Sequence, residues 1–311
     1  TIVNPNFENN INSSQGISVL SYLENRDIYS FNRSDIVLLD HINFFKSIYE
    51  KTELTNPYNL YSSLGSGSRG NGSIVASQTT AVLVDCGFSY KEALTRLKRL
   101  GLDPDDLDGI LVTHEHSDHV SGVEALSTKH GIPVYASRGT WIEVGAANFN
   151  KSIYINDLFS IGDIDIMPVT VPHDAREPLQ FVFSCHGVRL GILSDLGSIS
   201  QRVVEGYRDL DAISVEFNHD VELLHQGPYP AFLKTRVGGD FGHLNNGQAA
   251  ELLKRIAGDR LKTVVACHIS ETNNDTSRVE QALDSALENQ NIRRLIASQS
   301  DGFHWIEIGT P

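Results

Sequence analysis

The stretch Thr113-His114-Glu115-His116-Ser117-Asp118-His119 constrains this chain more than any other. It sets three imidazoles and two carboxylates in one short turn, directly after the apolar run Gly109-Ile110-Leu111-Val112. That run predicts a buried strand, and a strand ending in so many donors delivers them together at one edge of a sheet. Imidazole and carboxylate suit zinc and its first-row neighbours, so the turn predicts a metal site. A solvated histidine loop is the plainer alternative, and the rest of the chain argues against it.

Further donors stand where other strands should end. His173 follows the alternating run 164–171, which closes at Pro172. Asp195 follows the strand-like run 188–193, which leads into a Gly-containing turn, and His268 follows the β-branched run 263–267. Taken singly, each is as readily a turn or capping residue as a ligand. Four strands ending in His or Asp would feed one common edge, and that shared position is the stronger signal.

These residues resemble the His-x-His-x-Asp-His signature of the metallo-β-lactamase-fold hydrolases, met here at His114, His116, Asp118 and His119. The later ligands of that superfamily are matched by His173, Asp195 and His268, and its early Asp by Asp85 in Ala81-Val82-Leu83-Val84-Asp85-Cys86-Gly87. Within the superfamily the chain is similar to the bacterial YycJ/WalJ (VicX) group, which resembles exonucleases acting on DNA. The stretches that carry this likeness are Ser63–Gly72, Val215-Glu216-Phe217-Asn218-His219-Asp220, Gly227-Pro228-Tyr229-Pro230 and Gly242-His243-Leu244-Asn245-Asn246. It covers about residues 61–311.

The resemblance implies an α+β fold, a four-layer αβ/βα sandwich with its site at one edge. It implies one divalent ion among His114, His116 and His173, a second among Asp118, His119 and His268, and Asp195 between them. Zinc, manganese or iron would suit such a set. A hydroxide shared by the two ions would be the nucleophile. Asp118 would also orient it, and Asp85 would fix a ligand from behind.

The glycine-rich segment 65–72 reads as a hairpin whose glycines supply backbone angles closed to other residues. Within it, Ser68, Arg69 and Asn71 are candidates to bind a substrate phosphate. The segment lacks the Lys-Ser/Thr ending of a nucleoside triphosphate loop. His243 opens an expected helix, and the pattern of the subgroup makes it a substrate-binding residue or a proton donor. His219, which follows a strand at the same edge, is a second catalytic candidate. His186, His225 and His304 read as ordinary surface or core histidines, and Lys234 and Arg236 as the solvated face of a helix.

A net charge of −14 argues against broad adhesion to nucleic acid or anionic membrane. It leaves room for a local phosphate site, because two bound cations would dominate the field there. No apolar run approaches the roughly 18 residues of a membrane span, and no signal-peptide pattern opens the chain. Cys86, Cys185 and Cys267 all sit in or beside apolar strand runs, which reads as reduced, buried thiols and a cytoplasmic protein.

The first 60 residues carry 10 Asn, one Gly and no Ala, whereas the remainder holds 24 Gly. They read as an N-terminal extension of unknown role with a helix over 34–50, leaving 61–311 as the hydrolase domain. In that domain strands are expected near 60–65, 73–77, 80–85, 109–113, 133–136, 164–171, 179–185, 188–194, 211–217, 262–267, 293–298 and 303–308. Helices are expected over 90–100, 119–129, 198–208, 245–257 and 275–289.

Three functions compete. The leading one is a metal-dependent phosphodiesterase, an exonuclease whose partner is nucleic acid, namely DNA. The interval 195–268 is too short for the large insertion of the β-CASP RNA-processing nucleases. The alternative is hydrolysis of a small thioester or β-lactam by the same fold. A non-catalytic binding protein is the third, disfavoured by the intact ligand set.

Overall fold

The computed structural model describes residues 59–288 and 291–309. Apart from Asn59 and Leu60, the extension expected over 1–60, with its helix at 34–50, lies outside the described residues.

The chain enters as an antiparallel meander of β1 (Leu60–Gly65), β2 (Gly72–Ala76) and β3 (Ala81–Val84). Helix α1 (Tyr90–Arg99) follows; the Ser89 hydroxyl caps it by accepting from Glu92 N, and it buries Ala93 and Leu97. β4 (Gly109–Leu111) then lies parallel to β3. Helices α2 (Ser117–Val120) and α3 (Val123–His130) lead to β5 (Pro133–Ala136), and α4 (Arg138–Val144) leads to β6 (Lys151–Tyr154). Both strands extend the sheet in parallel. Parallel neighbours need crossovers, and the helices supply them while covering the outer face.

The second sheet repeats this plan. β7 (Phe159–Ile161), β8 (Ile164–Thr170), β9 (Leu179–Cys185) and β10 (Val188–Leu193) are antiparallel. After α5 (Gln201–Gly206), β11 (Ala212–Glu216) joins β10 in parallel. Helices α6 (Val221–Gln226), α7 (Ala231–Val237) and α8 (Asn246–Ile256) precede β12 (Thr263–Cys267), and α9 (Thr276–Ala286) precedes β13 (Arg293–Ile296). These two strands continue the parallel half. β14 (Phe303–Glu307) returns to the first sheet and pairs antiparallel with β1.

Each sheet therefore has seven strands, half antiparallel and half parallel. Val82, Leu111, Phe181, Ile192 and Val265 belong to the apolar layer between the sheets. Separate cores around Leu97 and Ile110, and around Leu252 and Leu283, lie under the helices on the two outer faces. Helix, sheet, sheet, helix is the four-layer α+β sandwich expected. No described helix is long and apolar enough to cross a membrane.

The helix expected over 119–129 is broken instead between Val120 and Val123. Gly122 N donates to Cys86 O at 2.8 Å, and a Cβ at Gly122 would collide with Phe88 O. The backbone thus presses against the turn after β3 and cannot continue as one helix. Strands β6 and β7 and helices α4 and α6 have no counterpart in the sequence reading. β6 is only partly buried and never alternates cleanly, so it lacks the period-2 signature of a strand.

At one edge, strands of both sheets end in the candidate donors. Asp85 follows β3, Asp195 lies just past β10, and His268 follows β12, all three with left-handed backbone (φ 58°, 52° and 51°). That region is sparsely allowed for non-glycine residues, though Asp and His are among those that enter it most. Each such residue costs about 1–3 kcal/mol, which the surrounding contacts must offset.

Candidate metal centre

Three loops are stitched together before any side chain is considered. Asn71 N donates to Asp118 O at 2.8 Å, Gly87 N to Asn71 O at 2.9 Å, and Cys86 N to His119 O at 2.8 Å. A Cβ at Gly87 would overlap the Asp118 carbonyl, so this close approach requires glycine.

Hydrogen bonds from behind then decide which imidazole nitrogen faces the centre. Asp85 accepts from Thr113 N and from the Thr113 hydroxyl, each at 2.8 Å, and from His119 Nδ1 at 2.8 Å. With its proton given to Asp85, the Thr113 hydroxyl can only accept from His114 Nδ1, 2.9 Å away. His173 Nδ1 donates to Gly242 O at 3.1 Å, and His268 Nδ1 to Glu216 Oε2 at 2.9 Å. All four rings thereby leave Nε2 as the free nitrogen, the orienting arrangement expected behind metal ligands.

The freed atoms gather at the centre. His114 Nε2 and His173 Nε2 approach His116 Nδ1 to 3.0 and 3.3 Å. His114, His116 and His173 form one compact donor group, and Asp118, His119 and His268 form another. Asp195 lies between them: Oδ2 is 3.3 Å from His119 Nε2, while Oδ1 is 3.5 Å from His268 Nε2 and 4.0 Å from His173 Nε2. Asp195 Oδ2 and His268 Nε2 are buried without a hydrogen-bond partner. Orphaned buried polar atoms are costly unless something satisfies them, and a cation among these donors does so. The residues present fit divalent metal.

Electrostatics point the same way. Burial pushes His114 well below the ordinary imidazole range, and it lowers His173 too. Burial also opposes charge on His119 and His268, but Asp195 outweighs it, with Asp85 helping at His119, and holds both well above that range. Burial would raise Asp195 and Asp118; the imidazoles of His119 and His268 instead hold both carboxyls far down. Without metal the cluster keeps protons on imidazoles that a cation would displace.

Of the two carboxylates in the His-rich turn, Asp118 joins the donors, whereas Glu115 accepts from Arg176 N at 2.7 Å. Glu216, unremarked as a site residue in the sequence, is fully buried. Its Oε2 also accepts from His243 Nδ1 at 2.9 Å and Asp195 N at 3.1 Å, and Oε1 accepts from Leu244 N at 2.8 Å. The imidazoles of His243 and His268 hold Glu216 down at about 2, against a burial effect of opposite sign. The available signal is an acid closing the buried strand Ala212–Glu216.

His243 stands beside the donors, its Nδ1 3.6 Å from Asp195 Oδ1. His219 is buried, its Nδ1 has no partner, and burial pushes it down to about 4, so it is neutral at ordinary pH. Asn71 turns inward: its Nδ2 lies 3.2 Å from His119 Nε2 and 3.4 Å from Asp118 Oδ2, and its Oδ1 accepts from Gly67 N. Ser68 and Arg69 are exposed, with Arg69 paired to Glu271 at 2.8 Å. Arg236 is tied to Asp174 at 2.5 Å, so it is more than a solvated face.

A four-layer sandwich carrying two adjoining His/Asp donor groups, bridged in space by one buried aspartate, defines a metal-dependent hydrolase. The family model of the beta-lactamase superfamily domain matches residues 80–269, and the chain belongs to that superfamily. It is 36% identical over 234 residues to the exodeoxyribonuclease YycJ of Bacillus anthracis, covering 73% of this chain and 89% of that protein. It is 37% identical over 222 residues to the exodeoxyribonuclease WalJ of Streptococcus pneumoniae, covering 69% and 82%. The solved metallo-beta-lactamase fold protein YhfI of Bacillus subtilis superposes with a TM-score of 0.63 at 15% identity, over 80% of this chain and 99% of that one.

Proposed function

We propose that this protein is a phosphodiesterase that degrades DNA from an end, using two divalent ions, zinc or manganese. The observation that carries this reading is Asp195, placed within 4.0 Å of donors from both groups. The similarity to relatives named exodeoxyribonucleases supports the substrate class.

His114, His116 and His173 would hold one ion and Asp118, His119 and His268 the other, with Asp195 touching both. When bound, such a pair supplies an acidified water as nucleophile and positive charge against the phosphate. The protein's own residues do the rest. Asp118, the more exposed of the acidic donors, would orient the attacking water. His243 keeps Nδ1 on Glu216, so Nε2 is the nitrogen offered to substrate, where it gives a proton to the departing oxygen. His219 is assigned a supporting place behind it: its Nε2 lies 3.9 Å from where a Cβ on Gly238 would stand, in the loop leading to His243. Asn71 steadies Asp118, while Ser68 and Arg69 form the outer face that meets the phosphate backbone.

The test is to incubate metal-loaded protein with end-labelled single- and double-stranded DNA and RNA, beside a thioester and a chromogenic β-lactam. Stepwise shortening of DNA is the expected result. Turnover of the thioester or lactam with every nucleic acid left intact would replace this reading with small-molecule hydrolysis.

A further inference from the structure

A second group of metal-ligating atoms stands away from the candidate centre. Asp163, Cys185 and His186 each offer a donor within 4.8 Å of the other two. Asp163 lies in the turn between β7 and β8, and the other two at the tip of the hairpin of β9 and β10. From there β8 runs toward His173 and β10 toward Asp195, so the length of a strand, roughly 20 Å, separates this group from the centre.

Three hairpins hold the group in place. The Ser77 hydroxyl, in the turn between β2 and β3, donates to Asp163 Oδ1 at 2.5 Å, and Asp163 N donates to the Thr80 hydroxyl at 3.3 Å. A Cβ on Gly162 would overlap that same hydroxyl, so these turns pack closely. With Oδ1 taken by Ser77, Oδ2 faces the other donors, 3.8 Å from Cys185 Sγ and 3.4 Å from His186 Nε2. His186 and Gly187 have left-handed backbone (φ 48° and 81°) between the paired residues Cys185 and Val188. Such a two-residue turn ordinarily takes Asn-Gly or Asp-Gly, and here its first position carries an imidazole.

The separations are close to the edges of a coordination shell. Bonds of about 2.0 Å to nitrogen and oxygen and about 2.3 Å to sulfur put tetrahedral ligands about 3.3 to 3.5 Å apart. Burial, with Asp163 beside it, pushes the Cys185 thiol up to about 12, so without a cation it keeps its proton and donates it to the carboxylate. A bound cation displaces that proton to solvent. Thiolate and imidazole together select zinc over manganese, magnesium or calcium.

We infer that Asp163, Cys185 and His186 form a separate Zn²⁺ site, with water as the fourth ligand, which clips together two turns of the second sheet at the edge opposite the candidate centre. The inference stands on these residues and is independent of the phosphodiesterase reading. With three protein ligands, and the His186 side chain 51% exposed, the site is weaker than the buried centre. Dialysis therefore empties it and added Zn²⁺ refills it.

The experiment titrates dialysed protein with Co²⁺, because cobalt bound to a thiolate gives a sulfur-to-metal charge-transfer band in the near ultraviolet. Neither donor group of the centre contains sulfur, so the band reads this site alone. Wild type is expected to develop the band, and Zn²⁺ added afterwards to erase it, since such ligands prefer zinc to cobalt. Cys185→Ser should show no band and bind one ion fewer than wild type. Asp163→Asn and His186→Asn keep the thiol, and Asn suits the left-handed turn at position 186. Each should weaken the cobalt affinity read from the band at least about ten-fold, a loss that removing even a supporting partner can cause. Absence of the band from wild type would overturn the site. So would a band that survives in Cys185→Ser or is unchanged in both of the other variants.

Discussion

Nδ1 of His268 lies 2.9 Å from Oε2 of Glu216, a carboxylate with no solvent exposure, and this contact fixes which nitrogen of His268 is left for metal. Because the same oxygen also receives His243 and the backbone of Asp195, one buried acid aligns a proposed ligand, the proposed bridge and the proposed acid. Glu216→Gln keeps the volume but loses the charge-assisted bonds. It is expected to weaken metal binding about 10- to 100-fold, as loss of a partner behind a ligand typically does. Titration of metal-free protein with Zn²⁺ or Mn²⁺ in a calorimeter checks this, and unchanged affinity would make Glu216 a packing residue only.

Metal content separates the two donor groups. Elemental analysis of wild type is expected to approach two divalent ions per chain, and His116→Ala should lower both occupancy and turnover. Asp195→Ala, which removes the carboxylate touching both groups, is expected to reduce turnover at least about 100-fold. A metal-free preparation hydrolysing at the full rate would contradict the mechanism.

His243 can be separated from metal holding, since it adjoins the donors without joining either three-residue group proposed to hold the ions. His243→Ala is expected to preserve metal content and Tm while slowing phosphodiester turnover by about 10²- to 10⁴-fold. A substrate with an activated leaving group should recover part of the rate, because its departing oxygen needs less acid assistance. Loss of metal or of folding in this variant would instead make His243 structural.

The metal-free protein should be most stable near the ordinary imidazole pKa of about 6.5. His114, His173 and His219 have lowered values, so below that pH the unfolded chain binds protons the native one refuses, and stability falls on acidification. His119 and His268 have raised values, so their contribution is complete below pH 6.5 and is lost as pH rises toward their native values. Metal should shift this maximum upward, since ligands must shed protons to bind. Melting curves across pH, with and without metal, check both signs; a metal-free Tm still climbing well above pH 7 would refute the assignment.

How much was legible depends on what kind of signal each residue leaves. His114, His116, Asp118 and His119 are consecutive enough to be read directly, and His173, Asp195 and His268 each close a recognisable strand. Thr113 and Glu216 also stand at strand ends, but that position does not reveal their work, which is to orient other side chains through contacts between distant parts of the chain. Asn71 could be placed on its loop, but not turned inward toward Asp118, without knowing that the backbones of residues 71, 87 and 118 interlock. α4 and β6 were missed where partial exposure dilutes the apolar period.

The left-handed backbone at Asp85, Asp195 and His268 shapes which heritable changes these positions tolerate. Alanine there removes a side chain and also imposes a conformation it enters reluctantly, so an alanine scan would merge two injuries into one number. Asparagine and glycine divide them, the first keeping a polar side chain at home in that region and the second relieving the backbone. A lineage abandoning hydrolysis while keeping the sandwich would therefore be expected to drift through Asn or Gly at these three sites.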